Sequence, residues 1–288
     1  MKSRKSCNNA FKAAPLLGLL ALLGSLFTGN TQAQQRPLWE LGIGAAGLYL
    51  PYYRGSSSGR SYLLPFPYLI YRGDYLNVDE DGLRGLLYRS EAVALDISLA
   101  AGVPVPSDQN GPRQGMPDLD PTVEFGPSLE LRLWHDQQHR GKNLWLHLPL
   151  RAAYSVTGSS INHEGWLFAP YLEFKHKGEL ATDLEHSISI GPMFADDAYH
   201  DYFYGVAPAY ATASRPAYQG HSGYNGSRVT LSTQKHIKNF SVAAFIRLDS
   251  LNGASFTDSS LVQTRNYHLF GFALSWILGQ SKQMVYSP

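Results

Sequence analysis

Residues 122–134, TVEFGPSLELRLW, alternate between apolar and polar almost without a break. Val123, Phe125, Leu129, Leu131 and Leu133 fall on one side. Glu124, Gly126, Ser128, Glu130 and Arg132 fall on the other. This period of two is the signature of a strand with two unlike faces; a helix would repeat its apolar residues every 3.6 positions. The same alternation recurs at 183–194, 239–250 and 266–279, where Phe270, Phe272, Leu274, Trp276 and Leu278 share a face. Extended along the chain, the pattern predicts twelve strands: 38–50, 63–72, 74–79, 83–89, 91–102, 122–135, 143–155, 165–177, 183–195, 226–237, 239–250 and 266–278. The gaps alternate in length. Those after odd strands are mostly long (51–62, 103–121, 156–164, 196–225, 251–265), and those after even strands are short.

An even number of strands of about ten residues, joined by long and short links in turn, predicts an all-β fold: a transmembrane antiparallel β-barrel with both termini on the periplasmic side and no free edge. Trp39, Tyr49, Trp145, Trp166 and Trp276 lie near strand ends and suit aromatic girdles at the two interfaces. Prolines at 65, 67, 127, 149, 170 and 192 fall inside predicted strands, where a missing N–H predicts bends or bulges.

The N-terminus changes the compartment. Lys2, Arg4, Lys5 and Lys12 precede the apolar run AAPLLGLLALLGSLF at 13–27, and Thr31 and Ala33 offer small residues for a peptidase. Residues 1–33 read as a secretory signal peptide and 34–288 as the barrel domain. Without the four leader cations, 20 basic residues face 23 acidic ones, a net charge of −3. That balance argues against a nucleic-acid partner. The single cysteine, Cys7, lies in the leader, so the mature chain has no disulfide, no thiolate metal site and no cysteine nucleophile. Charge is only 16% and aromatics reach 12%, as suits a chain that presents much of its surface to lipid.

The stretch ISIGPMFADDAYHDYFYGV, 188–206, departs from the pattern. Its first half alternates; its second gathers Asp196, Asp197, Tyr199, His200, Asp201, Tyr202, Phe203 and Tyr204. Asp196 and His200 are four apart, as are Asp197 and Asp201, so one helical turn would bring each pair to one side and leave a divalent cation open. The preferred expectation is a structured external loop. Its aromatics would fold into the barrel mouth, and its acids would face water or a basic lumen residue such as Arg228. No metal or other cofactor is expected. Inward positions carry charges of both signs, among them Glu130, Arg132, Arg151, Glu173, Arg228 and Arg247, which predicts ion pairs across the lumen rather than a selective ring. His147, Arg151, Glu173, His163 and Glu164, with Ser160, could form a hydrolytic site, but no G-x-S-x-G or H-E-x-x-H is present, and the chain reads as a non-enzyme.

GLYLPYYRGS (47–56), FPYLIYRGDYLNV (66–78), GPMFADDAYHDYFYGV (191–206), SGYNGSRVTLS (222–232) and FTDSSLVQ (256–263) together resemble the MipA/OmpV family, named after the MltA-interacting protein. Tyr204 and the tail QSKQMVYSP (280–288) depart from its pattern. The resemblance implies an outer-membrane barrel acting as a non-enzymatic scaffold between a lytic transglycosylase and a bifunctional murein synthase; other members are adhesin-like. On that reading the periplasmic turn HDQQHRGK, with His135, Asp136, Gln137, His139, Arg140 and Lys142, is the docking point. A narrow pore for small solutes and a surface adhesin remain as alternatives.

Overall fold

The computed structural model describes residues 35–73, 76–79, 82–108, 111–136, 141–178 and 184–286. The expected leader, 1–33, lies outside them. Twelve antiparallel strands form one sheet. In chain order they are β1 (Trp39–Pro51), β2 (Gly59–Arg72), β3 (Leu76–Asp79), β4 (Gly82–Arg89), β5 (Val93–Gly102), β6 (Thr122–His135) and β7 (Lys142–Thr157). They continue as β8 in two segments (Ser160–Phe168 and Tyr171–Lys177), β9 (Leu184–Ala195), β10 (Gly223–Ile237), β11 (Phe240–Ser250) and β12 (Asn266–Gln280). β12 returns to β1, with Phe270 opposite Tyr49 and Gln280 opposite Glu40. At the turn end a two-stranded clip pairs Gln35–Pro37 with Met284–Tyr286.

The faces are inverted relative to a water-soluble sheet. On β6, Thr122, Glu124, Ser128 and Glu130 are buried while Val123, Phe125 and Leu133 are exposed. On β12, Phe272 is 60% and Leu278 58% exposed. An outer belt of bare Leu, Ile, Phe and Trp around an inner wall of Glu, Arg, Ser and Gly is the arrangement lipid requires of a barrel. No described helix is long and apolar enough to cross a membrane; the strands make the crossing.

Three expectations need correction. The long loop expected at 156–164 is a two-residue turn, with Gly158 at φ 60°, so β7 and β8 run on as a hairpin. Trp145 is no girdle residue: it alternates with Leu144 and Leu146, lines the lumen, and lies 5.7 Å from the Arg132 guanidinium. The sheet also has an unpaired stretch. The β3–β4 hairpin meets β2 only at Tyr71 and Arg72 and meets β5 only from Ala94 to Ile97. Among the described residues, nothing pairs with the far edge of β2 from Gly59 to Ile70, or with that of β5 from Ser98 to Gly102.

The prolines follow from this layout. Arg72 donates its N–H to Leu38 O, toward β1. N–H directions alternate along a strand, so odd-numbered positions of β2 aim at the open edge. Pro65 and Pro67 stand there, removing two donors that would otherwise lack partners. The others form a seam. Pairing of β6 with β7 skips Gly126 and Pro127, β8 breaks at Ala169–Pro170, and β9 shifts register against β10 after Pro192.

Candidate functional site

Four loops at the end opposite the clip fold into a cap with its own core. Tyr53, Val105, Leu119, Tyr204, Val206, Leu251, Ala254, Phe256 and Leu261 are buried together, and Leu251, Phe256 and Leu261 are wholly inaccessible. At its centre is the helix α1 (Asp197–Tyr204). The Asp196 side chain caps it, accepting the Tyr199 N–H at 2.9 Å. The 199–204 aromatics then project on several sides. The Tyr204 ring stacks on Phe256 at 3.7 Å, and its hydroxyl donates to Arg54 O. Tyr199 reaches down to the barrel wall and donates to Glu124 at 3.0 Å; Tyr202 donates to Asp120 O. Burial pushes the phenols of Tyr53 and Tyr202 up to about 12 and that of Tyr199 well above its ordinary value, so all three act as neutral donors. His200 is fully buried, with its Nδ1 2.6 Å from His221 O, and burial lowers its pKa.

Beneath the cap lies a lumen of about 1930 Å³. Its charges pair along the wall. Glu124 meets Arg151 at 3.1 Å, and Asp249 meets Arg228 at 3.1 Å. His147 lies 3.1 Å from Glu130 and 3.0 Å from Glu173, with its ring stacked on Tyr171 at 4.4 Å. Lys175 adds a contact to Glu173 at 3.4 Å. The expected pairing across the lumen is therefore corrected. Opposed residues on neighbouring strands have Cβ atoms only about 5 Å apart, so these charges find their partners beside them and the centre stays open. Arg36 of the clip reaches β9 to pair with Glu185 at 2.8 Å at the turn end.

A family model, "MltA-interacting protein MipA", matches residues 43–278. The chain belongs to the MipA family. No curated protein matches it. Among solved structures, it is similar to a FadL homologue of Pseudomonas aeruginosa at 10% identity over 81% of this chain and 67% of that one, TM-score 0.34. It is also similar to the toluene transporter TodX of Pseudomonas putida, at 9% identity over 84% and 68%, TM-score 0.25. Overlays this loose carry no inference about the MipA-family chain.

In this MipA-family barrel the residues singled out by sequence disperse. Of the proposed docking turn, His135 ends β6, Asp136 accepts no helix or cap role but donates its N–H to Lys142 O, and Gln137, His139 and Arg140 lie outside the described residues. The acids of 196–201 do not face Arg228, which Asp249 already occupies. Asp196 caps α1, Asp197 is exposed, and Asp201 accepts the Gly220 N–H at 2.9 Å. Among the described residues no three His, Cys, Asp or Glu side chains gather as a metal site. Of the hydrolytic candidates, His147 and Glu173 meet in the lumen, while Arg151 belongs to Glu124. His163 and Glu164 lie in β8 rather than in a loop. His163 packs near Trp166 outside, and Glu164 accepts from Ser155 inside. Sequence reasoning missed Arg54, which bonds Tyr267 and Asn225 and lies 3.5 Å from Asp249. Its only signal was an arginine following the aromatic pair Tyr52–Tyr53 at a strand end.

Proposed function

We propose that this outer-membrane barrel works by binding: it holds a murein-cleaving lytic transglycosylase and a bifunctional murein synthase together on its periplasmic face. The family's named protein is described as MltA-interacting, and that supports the partner class. The observation that carries the reading here is the asymmetry of the two ends. The loop end is covered by a packed core, and this supports the turn end with its clip as the face for periplasmic partners. In this reading the chain is exported by a leader removed after Ala33, which N-terminal sequencing of the mature protein tests. It has no catalytic role, since its lumen carboxylates and imidazole are held in wall pairs. Affinity capture from detergent-solubilised envelopes, followed by mass spectrometry, is the test. Recovery of murein enzymes supports the scaffold, and their absence sinks it. A second reading, a narrow solute pore, draws on the lumen of about 1930 Å³. Planar-bilayer recordings without openings would remove it.

A further inference from the structure

The unpaired stretch of wall and the arginines beneath the cap have a joint explanation. Among the described residues, the sheet between β2 and β5 is open over Gly59–Ile70 on one side and Ser98–Gly102 on the other. The lumen reaches this opening. Ser98, Leu99, Ala100, Ala101, Gly102 and Val103 all line it in succession. The lumen thus runs beside the free edge of β5. The rim is oily: Leu63 is 76% exposed, and Leu64, Leu99 and Val103 are exposed too.

Inside, two guanidinium groups share one acid and a third lies near them. Arg228 and Asp249 are directly opposed on β10 and β11, and Arg54 descends from the first loop to the same carboxylate. Arg247 lies one inward row away, within electrostatic range of all three. Arg54, Arg228 and Arg247 line the lumen, and Arg54 Nη2 and Arg247 Nε are buried without a hydrogen-bond acceptor. Three cations against one carboxylate leave an excess of two. Buried charge of one sign calls for a counterion, and guanidinium favours phosphate or carboxylate oxygens.

We propose that the lumen binds an anionic amphiphile drawn sideways from the membrane through the gap between β2 and β5, its phosphate or carboxylate head on Arg54, Arg228 and Arg247 and its alkyl chain along the gap. This does not depend on the scaffold reading, and a failed enzyme capture leaves it standing. The test is ³¹P NMR of the protein purified from membranes in dodecyl maltoside, using dodecyl phosphate and, separately, inorganic phosphate. Dodecyl phosphate should bind on the order of tenfold or more tighter than inorganic phosphate, because the chain adds apolar burial. Arg228→Gln with Arg247→Gln should weaken it on the order of tenfold, while Arg151→Gln, whose partner is Glu124, should barely change it. Ser61→Cys and Ala101→Cys joined by a bismaleimide should slow uptake of dodecyl phosphate and leave inorganic phosphate unaffected. Absence of dodecyl phosphate binding, or equal binding by the double arginine variant with an unchanged heat-dependent gel shift, would overturn the proposal. So would uptake indifferent to the cross-link.

Discussion

The wall and the cap are built from the same residue types turned opposite ways. In the wall, Phe272 and Leu278 are more than half exposed while Glu130 and Asp96 are buried. In the cap, Phe256 and Leu261 have no exposure, and polar Asp197 is outside. Each follows its solvent. Lipid gives apolar side chains no reason to hide and forces every backbone group into a ladder. Water around the loops restores the usual drive to bury Tyr, Phe and Leu. One chain therefore carries two folding rules, and the boundary between them falls near Ala195, where β9 ends and the Asp196 cap begins.

The largest test of this contrast is Phe256→Ala. Removing a wholly buried ring stacked on Tyr204 should cost the cap roughly 3–5 kcal/mol. Hydrogen exchange should rise across 196–222 and 251–265 while the wall strands stay protected; equal loosening of the wall would merge the two regions into one. The counterpart in the wall is Leu274→Arg on the lipid face, expected to cost roughly 2–4 kcal/mol in bilayers if near midplane, measured by urea unfolding in vesicles. Phe272→Ala, also facing lipid, should fall far below Phe256→Ala in the same assay; a cost of similar size would contradict the inverted packing.

Mild acid should act on the cap through His200. His200 faces the rings of Tyr204 and Phe256, His221 O and Ser255 Oγ, with Arg54, Asp196 and Asp197 the nearest charges. Its folded pKa is below the unfolded value of about 6.5. The folded cap therefore keeps the ring neutral, and the unfolded loop binds the proton more readily. Cap stability is full above about pH 6.5 and falls as the pH drops through that value toward the lower folded pKa, by up to about 1.4 kcal/mol per pH unit. His200→Gln should flatten this dependence of exchange in 196–222. The smallest expected effect is Asp196→Ala, about 1 kcal/mol from loss of the α1 cap, read by the same exchange.

The strands were legible because their two faces meet two solvents, which writes a strict period of two; the twelve expected segments agree with the twelve found to within a few residues. The cap core was not legible as a core. Leu251, Phe256 and Leu261 fall in an aperiodic stretch, and nothing local says that they meet Tyr53 and Tyr204. The aromatics of 199–204 gave a partial signal, enough for a structured loop in the mouth but not for the helix. The gap in the wall left one trace, the two prolines at odd positions of β2. Their parity became meaningful only once Arg72 showed which way the N–H groups turn. Charge pairing failed to read for a geometric reason. Sequence shows that Arg151 and Glu124 both face inward but not that β6 and β7 are neighbours in register, Glu124 opposite Ala153.

The clip between Gln35–Pro37 and Met284–Tyr286 bears on how the barrel assembles. Its partners stand at the two ends of the described chain, as do β1 and β12, the strands whose pairing completes the ring. Neither contact can form while the chain is still arriving, so β1 waits with an unmatched edge until the last strand is delivered. Contacts of such high sequence separation are slow to form. The clip, which also bonds Leu38 to Gln283 and Trp39 to Ser281, fastens the seam at the moment of closure and works as a latch on an otherwise late and reversible step.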